Sequence, residues 1–295
     1  MWIAPDLAET VAAVVDEGSL EGAARALRIT PSAVSQRLRT LEGQLGRVLV
    51  VRSKPARVTE AGAVVVRLAR QYALLGHDAG VELGLEGPRR MRVPIAVNAD
   101  SLATWFLPAL QPVLRTHEVG FELHRDDQDR TAALLEAGTV TAAVTSQRTP
   151  IGGCVVTPLG VMTYDPVASP AYVERWLPAG STLDALASAP VVEFDRGDDL
   201  QRRWLQERGV DPSRPPRHYV PASDDYATAI KLGFGWGLLP PLQAQTALED
   251  GRLVRLDGPT ITVPLYWQQW NLRSPLLSDI RDAVVVGARA ALAPA

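Results

Sequence analysis

The sequence predicts an α/β protein with an all-α-dominated N-terminal helix-turn-helix domain, a long connecting helix and a larger C-terminal α/β domain. Three observations predict this architecture. Capped amphipathic helices fill roughly the first fifty residues, a longer helical pattern begins near Thr59, and from Arg92 short apolar strands alternate with helices. A chain of 295 residues is long enough for two such domains.

The composition is that of a globular protein, with 46% apolar and 21% charged residues. A single cysteine, Cys154, excludes an intrachain disulfide and fits a reducing compartment. The first residues lack a basic region followed by an apolar core, and no apolar run approaches the roughly 18 residues of a membrane span. We therefore expect a cytoplasmic protein with no membrane partner, and no motif indicates a cofactor or a metal site.

The charges are unevenly distributed, although the net charge of −3 by itself argues against nucleic-acid binding. Between Arg25 and Arg70 there are ten basic residues and two acidic ones, a local net charge of +8. The rest of the chain is therefore acidic. A basic segment on an acidic body is typical of a surface that binds phosphate groups.

Three helices are predicted within the basic region and just before it. Apolar spacing indicates a first helix over Leu7 to Val15, and Ser19 can cap a second helix whose small alanines allow close packing. Thr30 can cap a third helix, with Pro31 at its first position. On this third helix, Gln36 lies opposite the apolar face, where its amide could read adenine in the major groove. An ordinary surface helix would carry similar polar residues. The spacing of all the capped and apolar positions, and not any one residue, therefore favours DNA binding.

The resemblance to a known family is specific at this point. The matching residues are Ser19-x-x-x-Ala23-Ala24-x-x-Leu27-x-x-Thr30-x-Ser32-x-Val34-Ser35-x-x-Leu38-x-x-Leu41-Glu42, then Gly46 through Val51-Arg52, then Arg57-x-Thr59-Glu60-Ala61-Gly62. They resemble the helix-turn-helix (about residues 19–38), the wing and the start of the linker helix of LysR-type transcriptional regulators. One departure is Val50, where the family usually has phenylalanine. The resemblance implies a winged helix-turn-helix domain over residues 1–58 and a double-stranded DNA operator as partner.

The predicted DNA contacts come from the second and third helices and the wing. In the wing, a solvated basic loop is the alternative to contacts with phosphates or the minor groove. The candidate residues are Ser19, Thr30, Pro31, Ser32, Ala33, Ser35, Gln36, Arg37, Arg39, Arg52, Lys54 and Arg57.

A long helix over residues 59–88 follows the wing. Its apolar residues alternate steps of four and three, which is the seam of a short coiled coil: Ala61, Val65, Leu68, Tyr72, Leu75 and Ala79. The family resemblance implies that these linker helices pair in a homodimer, that dimers often form tetramers, and that RNA polymerase is a further partner. The alternative is that the seam packs only against its own domain.

Residues 89–295 resemble the effector-binding domain of the same family, which is like a periplasmic binding protein. That resemblance implies subdomain I over about 91–163 and 264–295, and subdomain II over about 164–263, with crossovers near Tyr164 and Val263. From the alternation of strands and helices we expect a largely parallel sheet, including a helix from Ser101 to about Arg115. Such sheets bind ligands beyond the carboxyl ends of their strands, in a cleft between subdomains.

The loops that follow the predicted strands are rich in acids and hydroxyls. Their candidate effector-binding residues are Asp100, Ser101, Thr104, Asp126, Asp127, Thr145, Ser146, Asp224 and Asp225. Helix caps are the alternative role for several of them. The acid excess predicts a cationic effector. Two stretches resemble the ArgP/LysG branch, whose members sense lysine and arginine and control basic amino-acid export: Val51-Arg52-x-x-Pro55-x-Arg57-x-Thr59-Glu60-Ala61-Gly62 and the run from Val97 to Trp105. That branch implies an effector carboxylate at Ser101 and an ammonium or guanidinium held by acids such as Asp127 and Asp224.

Three other classes are weaker predictions. An enzyme lacks support because no nucleophile elbow, phosphate loop or zinc spacing occurs, so no turnover is expected. A solute-binding transport protein would fit the C-terminal region alone, but the helix-turn-helix argues against it. A LysR-type regulator with another effector, or a nucleoid-type protein that binds DNA without any effector, remains open.

Overall fold

The computed structural model describes residues 2–85, 91–125 and 131–294. Its N-terminal unit comprises α1 (Pro5–Asp16), α2 (Leu20–Leu27), α3 (Pro31–Leu45) and an antiparallel hairpin of β1 (Val50–Val51) and β2 (Arg57–Val58). One apolar core holds these elements together. Ala23 of α2 is fully buried in this core together with Val11 of α1 and Leu38 of α3, and its small side chain lets the helices approach closely.

Side-chain caps set where the helices begin. Ser19, Thr30 and Thr59 each accept a hydrogen bond from the backbone N–H three residues further on, at 3.0, 3.2 and 3.0 Å. Thr59 thereby starts α4 (Glu60–Glu82). Between α2 and α3 the chain turns sharply because Arg28 takes a left-handed conformation, with φ of +56°.

Helix α4 packs differently along its length. Val65 belongs to the core of the N-terminal unit, and Ala61 and Tyr72 pack against the same core. Leu75 and Ala79, further along, are exposed. The seam residues Ala61, Val65 and Tyr72 therefore pack within the N-terminal unit. Leu75 and Ala79 lie at the surface instead.

The C-terminal unit is built on a mixed sheet, with seven strands among the described residues in the order β10-β6-β11-β5-β3-β4 and β9 paired to β6. A separate parallel pair, β7 and β8, lies beside it. The strands are β3 (Met91–Val97), β4 (Val119–Arg125), β5 (Ala142–Thr145), β6 (Cys154–Ala168), β7 (Val191–Glu193), β8 (Arg217–Tyr219), β9 (Gly237–Leu239), β10 (Val254–Arg255) and β11 (Ile261–Trp270). We call the part around β3, β4 and β5 lobe I, and the part around β7, β8 and β9 lobe II.

The expectation of a largely parallel sheet is wrong for the sheet as a whole. Strand β3 does pair in parallel with β4 and β5, but every pairing of β6 and β11 is antiparallel. These two strands, 15 and 10 residues long, pair with each other from Ile261–Tyr164 to Trp270–Cys154 and connect the two lobes. The middle of the sheet is antiparallel because the chain crosses between the lobes along the same two strands.

The helix predicted over Ser101 to Arg115 is a succession of short segments. Residues Leu102–Phe106 form a π-helical turn, and two prolines, Pro108 and Pro112, interrupt regular hydrogen bonding further on. The helices of this unit are α5 (Ala99–Ser101), α6 (Leu107–Leu110), α7 (Val113–Thr116), α8 (Thr131–Glu136), α9 (Pro170–Trp176), α10 (Leu183–Ser188), α11 (Leu200–Glu207), α12 (Ser223–Lys231), α13 (Pro241–Glu249) and α14 (Pro275–Ala291). None of the helices in the described ranges has the length and apolarity to span a membrane.

Candidate DNA-binding surface and effector cavity

Helix α3 presents a polar face to solvent while its apolar face is buried. Val34, Leu38 and Leu41 lie in the core, whereas Ser32 and Gln36 are exposed. The exposed face therefore offers an amide and a hydroxyl that can contact base edges or phosphates. This is the arrangement of a recognition helix, because the residues that would contact DNA carry none of the packing.

The hairpin β1–β2 is held against the rest of the N-terminal unit by backbone contacts. The Ala56 N–H donates to the Gly18 carbonyl at 2.8 Å, so the hairpin is anchored beside the start of α2. At its tip, Arg52, Lys54 and Arg57 are exposed, and among the described residues none of the three forms an ion pair. Their charges are available for a polyanion.

A cavity of about 130 Å³ lies between the two lobes, at the carboxyl ends of β3, β4 and β7. Its charged lining consists of Asp100, Asp195 and Asp198 together with Arg125. The other described residues that line it are Asn98, Ala99, Tyr164, Phe194, Leu200, Gln201, Tyr226 and Leu238. The cavity thus combines aromatic and apolar walls with an excess of carboxylates.

Asp100 joins the two lobes through its carboxylate. The Tyr164 hydroxyl donates to one oxygen at 2.9 Å, and the Ser223 hydroxyl donates to the other at 2.8 Å. The Ser223 oxygen in turn accepts from Gln243 Nε2 at 2.9 Å. Burial raises the pKa of Asp100, and these two hydroxyl donors oppose that rise because they stabilise the charged form.

Asp198 lies at the start of α11, in lobe II. Its two oxygens accept from the backbone N–H groups of Phe194 and Leu200, at 3.3 and 3.1 Å. Burial, with a smaller contribution from the charges of Asp100 and Glu193, raises the pKa of Asp198 to about 6, although the two N–H donors act to lower it. A buried carboxyl with such a pKa gains most from a cationic partner.

Uncharged acceptors with no partner add to the carboxylates. Among the described residues, the buried side-chain oxygens of Asn98, Gln201 and Gln243 accept no hydrogen bond. Asn98 and Gln201 line the cavity itself, and Gln201 already donates its N–H₂ to the Tyr226 hydroxyl at 2.6 Å. A ligand rich in N–H donors would supply hydrogen bonds to the Asn98 and Gln201 oxygens. Without such a partner, each buried oxygen lowers the stability of the folded protein.

Comparison with known proteins identifies the family. The family model described as bacterial regulatory helix-turn-helix protein, lysR family, matches residues 5–63, and the LysR substrate binding domain matches residues 86–286. The chain belongs to the LysR family. The lysine export transcriptional regulatory protein LysG of Corynebacterium glutamicum is 42% identical over 289 residues, covering 97% of this chain and 98% of that protein.

Two solved structures of full length are similar to the LysR-family protein described here. The crystal structure of ArgP from Mycobacterium tuberculosis has a TM-score of 0.89 at 42% identity, with all of both chains covered. Full-length LysG from Corynebacterium glutamicum with bound effector Arg has a TM-score of 0.79 at 39% identity, covering 99% of this chain and all of that one. These matches confirm the resemblance to the ArgP/LysG branch.

The sequence-predicted DNA-binding residues of this LysR-family protein divide between structural and exposed positions. Ser19 and Thr30 cap helices, and Pro31 begins α3. Arg37 pairs with Asp6 of α1 at 3.6 Å. The remaining side chains lie on α3 or the hairpin: Ser32, Gln36, Arg39, Arg52, Lys54 and Arg57 are exposed, and Ala33 and Ser35 are half-buried.

The structure brings only part of the predicted effector site to the cavity. Asp100 lines it, but Ser101 is fully buried with its hydroxyl unpartnered among the described residues. Thr104 donates to the Asp100 carbonyl at 2.5 Å, within its own helical segment. Thr145 and Ser146, at the end of β5, are not among the described lining residues.

The remaining predicted acids form two pairs, Asp224 with Asp225 and Asp126 with Asp127. Asp224 and Asp225 are exposed on α12, because the neighbouring Ser223 is the residue whose side chain turns inward to Asp100. Asp126 and Asp127 lie outside the described residues. Among the described residues, the acids that line the cavity are Asp100, Asp195 and Asp198, of which Asp100 is in the predicted set of effector-binding residues given above.

Asp198 had a signal that sequence reasoning could have used. It stands at the start of a helix that follows a short apolar strand, which is the place where open α/β sheets bind ligands. Gln201 and Tyr226 had no such signal, because both lie inside helices. Among the described residues no cluster of three or more histidine, cysteine or acidic side chains could hold a metal ion.

Proposed function

We propose that this LysR-family protein is a transcriptional regulator that binds a basic amino acid, arginine or lysine, in the cavity between its lobes. The observation that carries the proposal is the charge pattern of the lining, which among the described residues consists of three aspartates and one arginine. Arginine and lysine each carry two positive groups and one carboxylate. Their net charge of +1 is opposite to the excess charge of the lining.

The position of each charge suggests an orientation. Arg125 is at the cavity rim, with its guanidinium 5.7 Å from the centre of the Phe194 ring, and is placed to pair with the effector carboxylate. Asp100 and Asp198 lie deeper and would face the guanidinium or ammonium group. The unpartnered oxygens of Asn98 and Gln201 favour guanidinium, since its five N–H donors lie in one plane.

The relatives support this class of effector. The Corynebacterium glutamicum relative is described as a lysine export regulator, and its structure contains arginine as bound effector. We propose that this chain likewise controls the gene of a basic amino-acid exporter.

On DNA, we propose a homodimer or homotetramer that places two α3 helices on an inverted repeat and alters contact with RNA polymerase when the effector binds. One helix-turn-helix buries little surface, so two copies are needed for tight, specific binding. The effector can shift this equilibrium only through its different affinity for the two states, typically about 1–3 kcal/mol of coupling.

Calorimetric titration of the full chain tests the effector. Arginine and lysine should bind saturably, and citrulline, which keeps the shape of arginine without its charge, should bind at least about tenfold more weakly. Asp198→Asn should weaken arginine binding more than citrulline binding. Asp282→Asn, at an exposed site on α14, is the matched control.

The proposal would be overturned if neither arginine nor lysine bound. It would also be overturned if citrulline bound as tightly as arginine. Operator binding that is insensitive to every amino acid would instead support the effector-independent alternative.

A further inference from the structure

Helix α4 is shared between the cores of the two units. Val65, Val66 and Ala69 are buried in the core of the N-terminal unit, with the helices α1 to α3. Leu74, little more than one turn further on, is fully buried in the main core of the C-terminal unit. Tyr72 still packs against the N-terminal core, so the helix changes from one core to the other between residues 72 and 74. Arg70 lies about one turn before Leu74.

The Arg70 side chain contacts both units at once. Its guanidinium donates to Oδ1 of Asp16, at the end of α1, at 2.6 Å. It also donates to the backbone carbonyls of Gly138 and Thr139, in the loop between α8 and β5. The Arg70 side chain is only 17% exposed, so its contacts with the two carbonyls are partly shielded from water, whereas the Asp16 carboxylate is 48% exposed.

The same loop has no room to move towards α4. Gly138 has φ of +70°, and a Cβ there would come within 2.5 Å of the Arg67 Cβ. The loop backbone thus lies directly on the helix, and its two carbonyls are presented to Arg70.

The junction is not close-packed throughout, because it borders a cavity that is lined by both polar and apolar residues. A cavity of about 220 Å³ lies beside Arg70, and Glu122 and His124 of β4 line its far side. Contacts that border a cavity have no packing on that side, so they can shift more easily than contacts inside a close-packed core. Strand β4 also ends at Arg125, which lines the effector cavity, so one strand borders both cavities.

We propose that Arg70 is a tether between the units, through which a movement of β4 and the Gly138–Thr139 loop changes the orientation of the N-terminal unit. A shift of the loop carbonyls moves the Arg70 guanidinium that donates to them, and the hydrogen bond from Arg70 to Asp16 transmits the movement to α1. The claim that effector binding causes this movement rests on the proposed function, whereas the contacts that make Arg70 a tether do not.

Hydrogen–deuterium exchange of the full chain, without DNA or amino acid, tests the tether. Arg70→Ala should speed exchange about tenfold in the segments covering residues 8–18 and 131–141, because both lose their partner. Asp16→Asn should speed exchange in 8–18 and leave 131–141 protected, since the loop carbonyls keep Arg70. Arg252→Ala, which removes an exposed Arg–Asp pair elsewhere, should change neither segment.

Unchanged exchange in both segments of Arg70→Ala would overturn the tether. If Arg70→Ala unfolds the whole chain, Asp16→Asn decides: equal acceleration in both segments, or in neither, contradicts the assigned contacts.

The second measurement is operator affinity with and without arginine. Arg70→Ala should bind arginine with unchanged affinity but lose most of the effector-dependent change in operator affinity. A full response in this variant would remove the coupling role. If arginine fails to bind the unsubstituted protein, the proposed function fails, and the exchange result still decides the tether.

Discussion

The Ser223 hydroxyl donates a 2.8 Å hydrogen bond to Oδ1 of Asp100, joining residues 123 positions apart and on different lobes. Tyr164, on the strand that connects the lobes, donates to the other oxygen of the same carboxylate. The anion is therefore positioned by the protein before any effector arrives. Such preorganisation reduces the ordering cost that binding would otherwise carry.

Ser223→Ala should weaken arginine binding by roughly three- to tenfold and lower the free energy of unfolding by about 1–2 kcal/mol. Asp100 loses a donor that stabilises its charged form, and the Gln243 N–H₂ loses its acceptor. Calorimetric titration and thermal unfolding measure the two effects.

The controls for that variant are Ser223→Thr, which keeps a hydroxyl, and Ser188→Ala, which removes an exposed hydroxyl bonded only within α10. Ser223→Ala with unsubstituted affinity for arginine would show that the contact between the lobes plays no part in binding.

Arginine affinity should rise as the pH increases from about 5 to 7. Burial raises the pKa of Asp198 to about 6, so at pH 5 the carboxyl is mostly protonated and a proton must leave before a cation can pair with it. Titrations at several pH values, in buffers of different ionisation enthalpy, should show proton release on binding. Asp198→Asn should flatten this dependence, although the raised pKa of Asp100 leaves part of it.

The same carboxyl affects stability in the absence of effector. The folded-state pKa of Asp198 lies above the unfolded value, so the folded chain binds more protons between about pH 4 and 6. Its contribution to stability is full below pH 4 and is lost as the pH rises through 6. Urea unfolding without arginine should show a smaller loss over this window in Asp198→Asn, and an equal loss in both proteins would contradict the assignment.

The sequence predicts the N-terminal unit well because local chemistry determines it. Ser19, Thr30 and Thr59 each cap a helix by accepting a hydrogen bond from a residue only three positions further on, and Pro31 lies in the first turn of α3. These helix boundaries therefore depend on near neighbours in the sequence. The family resemblance extends that prediction to the wing and the effector-binding region, and the family matches confirm it.

The cavity between the lobes is harder to predict because contacts between residues distant in the chain build it. Local acidity drew attention to Asp224, but the side chain that turns inward belongs to Ser223, whose partner is in the other lobe. The antiparallel pairing of β6 with β11 was missed for the same reason, since its paired residues are about 100 to 115 positions apart and no local pattern indicates the pairing.

Gly62→Ala should destabilise the N-terminal unit by roughly 1–3 kcal/mol. A Cβ at Gly62 would come within 2.0 Å of the Leu49 carbonyl oxygen, and because that atom belongs to the backbone it cannot move aside cheaply. Gly43→Ala is the matched control: Gly43 is exposed on α3, and a Cβ added there would meet no atom of the described residues within 4 Å, so alanine should stabilise the helix by about 0.5–1 kcal/mol. Calorimetric unfolding of both variants should show shifts of opposite sign, and shifts of the same sign would contradict the close contact at Gly62.

Gln36→Ala and Arg52→Ala should separate base reading from phosphate binding. Gln36 is exposed on α3, and its loss should cost roughly 1–3 kcal/mol on the operator while leaving affinity for random DNA nearly unchanged. Arg52 is exposed in the hairpin, so its loss should weaken binding to all sequences alike and reduce the slope of log affinity against log salt by about one. Fluorescence anisotropy with operator and random duplexes at several salt concentrations measures both. Equal losses on the two duplexes for Gln36→Ala would show that this side chain does not read a base, because a contact with the DNA backbone cannot distinguish sequences.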